Sequence, residues 1–331
     1  MTRLLVTGAA GFIGSNFVRY WLERHPGDRV VALDLLTYAG DRRNLDELDT
    51  RLVEGDIADL ELVERVLAED EIDVVVNFAA ESHNSLAVLD PGLFFRTNVL
   101  GTQALLDAAR RRGLARFHHV STCEVYGDLP LESDDAFTEE SPYRPRTPYN
   151  ASKAAADHAV RSYHETFGLP VTITNCSNNY GPRQFPEKVI PLFLTNALDD
   201  RELPLYASTQ NRREWLHVDD HCRAIDLVLE RGREGETYNV GSGDERSIEE
   251  IADLVLDLTE KPESLKTIVP DRPGHDRRYL LDSTRLRREL GWQPQIVFDD
   301  GLQATVDWYA ANRDWWEPLK ERAPVRESTW R

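Results

Sequence analysis

Lysine is scarce in this chain of 331 residues: it occurs only as Lys153, Lys188, Lys261, Lys266 and Lys320, so arginine supplies nearly all the positive charge. Basic charge as a whole is short, with 39 Lys and Arg against 58 Asp and Glu and a net charge of -19. A surface of that sign argues against broad binding to nucleic acid or to an anionic membrane, both of which need basic area. An anionic ligand must instead find a local basic pocket. Cysteine is scarce as well. Cys123, Cys176 and Cys222 are odd in number and far apart, which argues against a disulfide framework and for a reducing cytoplasm. No metal-ligand spacing occurs among the Cys and His residues, so no metal is expected. No apolar run approaches the roughly 18 residues of a membrane span. The first residues already read as a strand, and no signal peptide is expected.

What is present is ordinary globular composition, 41% apolar and 29% charged, in a length that suits one large domain or two intimate ones. Apolar runs at RLLVT (3–7), VVALD (30–34), LVEGD (52–56), DVVVNFAA (73–80), FHHVST (117–122) and VTITNC (171–176) predict strands. Amphipathic helices are predicted between them, over 59–69, 91–112 and 149–167 among others. That alternation predicts an α/β fold with a Rossmann-type parallel sheet covered on both faces. After Gly181 the rhythm loosens into short strands (LPLYA, REWLHV, TYNVG) and helices near 219–232, 247–259 and 283–290. We therefore expect a first domain over 1–177, a smaller mixed α/β lobe over 178–320 interleaved with it, and a polar tail over 321–331.

VTGAAGFIG sets Gly8, Gly11 and Gly14 at three-residue spacing between a strand and a helix. Backbone without side chains approaches a pyrophosphate closely there, and the helix N-terminus points positive potential at it. Asp34 ends the next strand, placed to bind the adenosine ribose hydroxyls and to repel a 2′-phosphate, so NAD is expected rather than NADP. Asp56 in GDI is expected near the adenine. Farther on, Tyr149 and Lys153 in YNASK are four apart and share a helix face. A nearby ammonium is expected to lower the phenol's pKa from about 10 and make Tyr149 a base for a hydroxyl proton. Thr122 closes a strand just upstream and is expected to share that hydroxyl.

TGAAGFIG, FAAESH, TNVLGT, ST-x-EVYG, YNASK, NNYGPRQFPEK, RREWLHVDDHCRA, YNVGSG and PGHDRRYLLD occur in this order between residue 3 and about residue 320. Together they resemble the extended short-chain dehydrogenase/reductase superfamily, and more closely its dTDP-glucose 4,6-dehydratases. The resemblance implies an NAD site formed by Gly8, Gly11, Phe12, Ile13, Gly14, Asp34, Leu35, Thr37, Asp56, Ile57, Phe78, Ala79, Ala80, Thr97, Tyr149 and Lys153. It implies that Tyr149 takes the 4-hydroxyl proton of a nucleotide-bound glucose as C4 is oxidised. Glu124 then removes the C5 proton, water leaves from C6, and hydride returns to C6. For the nucleotide sugar it implies contacts from His83, Asn178, Lys188, Val189, Arg213, Asn239, Arg272 and His275, with Pro204 and Tyr206 packing nearby. Arginine suits a diphosphate through bidentate contacts. It also implies a homodimer built on the helices near 91–112 and 149–167.

Two stretches depart from that pattern. The usual Thr-Asp-Glu is here Thr122-Cys123-Glu124, and the usual Val-Asp-Arg-Ser after His83 is here Asn84, Ser85, Leu86 and Ala87. A thiol of ordinary pKa, about 8.5, is protonated at neutral pH. Cys123 is therefore expected either to donate the proton to the departing hydroxyl, directly or through a water, or to act as a small spacer while Glu124 handles both proton transfers. Three other outcomes are weighed: a 5,6-ene-forming dehydratase, a 4-epimerase, which needs no C5 base, and a non-catalytic NAD-binding regulator.

Overall fold

The computed structural model describes residues 1–323. The six apolar runs of the first half become β1 (Arg3–Thr7), β2 (Arg29–Asp34), β3 (Thr50–Glu54), β4 (Val74–Asn77), β5 (Arg116–Thr122) and β6 (Val171–Cys176). Between them run α1 (Phe12–Arg24), α2 (Leu60–Glu69), the short α3 (Asn84–Leu89) and α4 (Pro91–Phe94), α5 (Thr102–Arg112) and α6 (Pro148–Phe167). Residue type sets the ends of these helices. Thr147 caps α6 by accepting from Asn150 N, Pro148 opens it, and left-handed Gly168 (φ 69°) stops it.

The second half contributes β7 (Asn178–Tyr180), α7 (Val189–Leu198), β8 (Leu203–Tyr206), β9 (Arg212–His217), α8 (Val218–Arg231), β10 (Thr237–Val240), β11 (Glu245–Ser247), α9 (Ile248–Leu258), β12 (Lys266–Val269), α10 (Thr284–Leu290), α11 (Phe298–Ala311) and α12 (Arg313–Lys320). The large sheet has seven strands in the order β10-β6-β5-β4-β1-β2-β3, all parallel. Leu5 lies between Val31 and Val75 in this register, and all three are buried in one core with Phe117 and Leu105. Each such side chain contributes about 1.5–3 kcal/mol by leaving water. Strand order reverses between β1 and β4, which opens a crevice at the carboxyl ends of the strands.

Residues 237–240 correct the expected division at 177/178. TYNV is not part of the small lobe; it pairs with β6, Thr237 opposite Ile173 and Val240 opposite Cys176. All four residues are buried, as an edge strand covered on both faces requires. The small lobe keeps two little sheets, β11-β9-β7 and β12-β8, over a core of α7, α9 and α11 side chains. The sequence reading missed α7, because VIPLFLTNAL is apolar almost all round and carries no amphipathic period. The single helix expected over 91–112 is interrupted by a π-helical stretch, Phe95–Gly101. Asn98 explains it: its amide exchanges bonds of 2.9 and 3.0 Å with the main chain of Glu81 and donates to Ser152 Oγ. The wider turn also sets Thr97 against the crevice. Of the expected polar tail, residues 324–331 lie outside the described residues. Arg322 is not loose: it donates to the carbonyls of Thr37 and Gly40 and pairs with Asp41. No helix among the described residues is long and apolar enough to cross a membrane.

Candidate active site

The crevice is a cleft of about 320 Å³. Every residue expected to form the cofactor site lies on its wall, from the glycine turn through Asp34, Leu35, Thr37, Asp56, Ile57, Phe78, Ala79, Ala80 and Thr97 to Tyr149 and Lys153. Gly8 needs to be glycine twice over. Its φ is +64°, and a Cβ there would sit 2.7 Å from Ala79 N. Gly11 caps α1 without any side-chain bond, so the first amides of that helix open onto the cleft at Phe12 and Ile13. Asp34 is held at the rim by Ala10 N (2.9 Å) and Leu36 N (2.8 Å). Burial pushes its carboxyl up, and the two amide bonds oppose that. Farther along the wall, Ser177 Oγ, Asn178 Oδ1 and Gln184 Oε1 are buried without any protein partner. Buried polar groups without partners are uncommon and fit a wall that meets a polar ligand. An uncapped helix start, an acid at the second strand and unpaired polar atoms together fit a dinucleotide.

The acid–base groups converge where β5 ends. Thr122 caps the short turn Cys123–Tyr126 by accepting from Glu124 N at 3.3 Å, and Thr122, Glu124, Tyr149 and Lys153 all face the cleft. Burial pushes the Glu124 carboxyl up, and a 3.0 Å hydrogen bond from Asn84 Nδ2 opposes that. Lys153 donates to Val120 O at 2.7 Å and lies 3.3 Å from His119 Nε2. Burial lowers its pKa to about 8, against the pull of Asp157. The expected lowering of the Tyr149 phenol is not seen here. Burial pushes it well above 10, the Glu124 charge adds to that, and the Thr122 hydroxyl works the other way. Desolvation outweighs an ammonium that is itself tied to a carbonyl.

Cys123 lies behind the cleft wall. Its thiol is 1% exposed and packs with Val125, Tyr126, Ala154, Tyr279 and Leu281, and it is not part of the cleft wall. Burial, with Glu124 beside it, holds the thiol well above its usual pKa. It stays protonated, packed among the side chains of that cluster with Glu124 beside it. Cys123→Ala is therefore expected to leave kcat within a few-fold, whereas Cys123→Asp buries a carboxyl in that cluster and destabilises the fold by about 2 kcal/mol or more. Steady-state rates and thermal melting check both. A hundred-fold loss in Cys123→Ala would restore the thiol as the acid.

The residues expected for the nucleotide sugar divide. Asn178 and Lys188 line the cleft. His83 caps α3, accepts from Leu86 N and lies 3.7 Å from Glu187. Burial, then Lys188 and Arg272, lower its pKa to about 3, so it is neutral. Val189 begins α7 directly after Lys188. Pro204 and Tyr206 lie on β8, where the Tyr206 ring meets His275 edge-on at 5.1 Å. Burial and the charges of Arg213 and Arg272 lower His275 to about 3, so these cations lie close together. Arg272 Nη1 is buried without a partner.

Two of the expected residues are engaged within the protein. Asn239 is fully buried in β10, accepting from Tyr126 OH and donating to Phe137 O. Arg213 spends its guanidinium on the carbonyls of Arg212, Arg277 and Asp276 and stacks over Tyr279. It braces the 276–279 segment. Sequence reasoning missed Gln184 and Phe185, although both stand in the quoted NNYGPRQFPEK. It also missed the half-buried pair of Tyr38 OH and Glu187, 2.8 Å apart.

Comparison with known proteins agrees with this geometry. The profile of the GDP-mannose 4,6 dehydratase family matches residues 5–305. A dTDP-glucose 4,6-dehydratase of Streptomyces antibioticus is 51% identical over 98% of this chain and 99% of its own. The crystal structure of the dTDP-glucose 4,6-dehydratase DesIV from Streptomyces venezuelae, with NAD bound, superposes with a TM-score of 0.93 at 51% identity, covering 96% of this chain and all (100%) of the other. A Thermus thermophilus UDP-glucose 4-epimerase in complex with NAD reaches a TM-score of 0.88 at 33% identity, over 94% of this chain and 100% of that one. The chain belongs to the GDP-mannose 4,6 dehydratase family and stands among its dTDP-glucose 4,6-dehydratases.

Proposed function

We propose that the protein dehydrates dTDP-glucose to dTDP-4-keto-6-deoxyglucose with NAD as a bound, recycled cofactor. The observation that carries this is a second acid–base group, Glu124, on the same cleft wall as Tyr149 and the dinucleotide cradle. The α1 N-terminus and glycine turn would hold the pyrophosphate of NAD, and Asp34 the adenosine ribose. When bound, NAD accepts hydride from C4 and returns it to C6. Tyr149 removes the 4-hydroxyl proton while Thr122 holds that oxygen, and Lys153 supplies positive charge behind the phenol. The C4 ketone acidifies the C5 hydrogen, which Glu124 takes. Glu124 then passes a proton to the C6 hydroxyl, which leaves as water, and C5 takes up a proton again as hydride returns to C6. A carboxyl lifted by burial suits both halves of that task. Lys188 and Arg272 would meet the diphosphate, and Tyr206 and His275 would lie near the base.

Glu124 also separates this reading from a 4-epimerase, the activity named for one relative of the same fold, because epimerisation needs no base at C5. Exposed Phe95, Leu100 and Phe167 on the helices around 95–101 and 148–167 support packing against a second copy of the chain. Three buried free cysteines suit a reducing cytoplasm. The test is incubation with dTDP-glucose and catalytic NAD, following product mass and alkaline ultraviolet absorbance. Loss of water with a 4-ketone supports the proposal. Loss of water without the ketone indicates a 5,6-ene, unchanged mass with inverted C4 an epimerase, and no turnover, repeated with UDP-glucose and UDP-N-acetylglucosamine, a pocket built for another substrate.

A further inference from the structure

Asn84 stands in the stretch after His83 where the sequence leaves the pattern of its relatives, and the structure brings it to the reacting groups. It opens α3, and its two amide atoms reach opposite ways. Nδ2 donates to Glu124 Oε2 at 3.0 Å, and Oδ1 accepts from Thr147 Oγ1 at 2.9 Å. A hydroxyl donor on Oδ1 leaves Nδ2 as the atom facing Glu124, so the amide orientation is fixed by its partners. Thr147 is the N-cap of α6, with Tyr149 two residues on. The chain Thr147–Asn84–Glu124 therefore ties the carboxylate from the end of β5 to the start of the helix that carries the phenol. One carboxylate oxygen is held. Oε1 makes no hydrogen bond among the described residues, and the side chain borders the cleft.

We propose that Asn84 is the positioning residue for Glu124: it ties down one carboxylate oxygen, presents the other to the sugar at C5 and C6, and favours the ionised form that removes the C5 proton. This rests on the dehydratase reading above. It also accounts for how a single carboxyl serves both proton transfers once Cys123 is withdrawn into an apolar cluster. An amide donor fixes the carboxylate without competing for its proton, which a second carboxyl at this place would do.

The other groups acting on Glu124 are not rearranged by removing an amide. Arg272 and Arg213 contribute positive charge and Asp276 negative charge, and Lys188 adds a further cation. Tyr279, Cys123 and Cys176 are neutral, each held protonated by burial, and the Tyr149 phenol, likewise pushed up by burial, is the other titrating group beside Glu124.

The experiment compares wild type with Asn84→Ala, which lacks the donor, and Asn84→Asp, which keeps the size but replaces the N–H donor by a carboxyl. Each is measured for kcat and KM of dTDP-glucose dehydration against pH, and for C4 oxidation in a single turnover. Both variants are expected to move the acidic limb of kcat upward by about one pH unit, the loss of a hydrogen bond to the charged form. Dehydration below neutral pH then falls about tenfold, with KM and C4 oxidation little changed. An acidic limb unmoved in both variants overturns the proposal, as does a parallel loss of oxidation and dehydration at every pH. Wild type that forms no 4-keto-6-deoxy product removes the dehydratase reading itself, an outcome separate from an unmoved limb in an active enzyme.

Discussion

Glu124→Gln is expected to abolish dehydration while sparing oxidation at C4. Glutamine keeps the shape of the side chain and still meets the cleft, but it cannot accept the C5 proton or return one to the C6 hydroxyl. General acid–base catalysis at one centre is worth on the order of a hundred- to ten-thousand-fold, and Glu124 serves two transfers, so the upper part of that range is expected. The variant should accumulate oxidised sugar, seen as a rise in the absorbance of the reduced cofactor that does not decay. It should also stop exchange of the C5 hydrogen with solvent deuterium. A variant that still exchanges C5 at the wild-type rate would move the base elsewhere. Glu187, 3.7 Å from His83 on the same wall, would be the next carboxylate to examine.

Tyr149→Phe is expected to act one step earlier. The phenol is 8% exposed and its ring meets Phe94 at 76° and 6.2 Å, so phenylalanine keeps the packing and removes only the hydroxyl. Oxidation at C4 should fall by about a hundred- to ten-thousand-fold, and with it every later step, while nucleotide-sugar affinity changes little. No reduced cofactor should build up, which separates this variant from Glu124→Gln. In the active enzyme the same step should decline on the alkaline side. Lys153, lowered to about 8 by burial, carries its charge below that pH and loses it above, and the phenolate loses its counter-charge with it. An alkaline limb unchanged in Lys153→Met would contradict that assignment.

Sequence and structure agree most closely where the chemistry is local. Gly8, Gly11, Gly14 and Asp34 were legible because a tight turn, an open helix start and an acid at the next strand end act within one βαβ unit. Tyr149 and Lys153 were legible because a helix places residues four apart on one face. Longer-range features were not. Asn239 was assigned to the ligand from its motif, but a motif gives residue type and not the direction of a side chain inside β10. The bonds of Arg213 to the carbonyls of the 276–277 segment were not legible either, since that segment lies more than 60 residues away in sequence. The stretch at Asn84 was recognised as a departure, but its meaning depends on a contact with Glu124 across 40 residues. Cys123 shows the opposite case. Its proton is legible from residue type alone, whereas the packing of Tyr279 and Leu281 around it is not. The π-helical stretch had no signal in the helical periodicity of 91–112, because it follows from one side chain, Asn98, bonded to the main chain of Glu81.

The most direct test of the central claim follows one atom. The protein is supplied with dTDP-glucose carrying deuterium at C4, in ordinary water, with no cofactor beyond a catalytic amount of NAD. If C4 oxidation, loss of water and hydride return occur in one cleft, the deuterium appears at C6 of a 4-keto-6-deoxy product and is not lost to solvent. Deuterium still at C4 of an epimerised sugar, or released without reaching C6, would contradict the account.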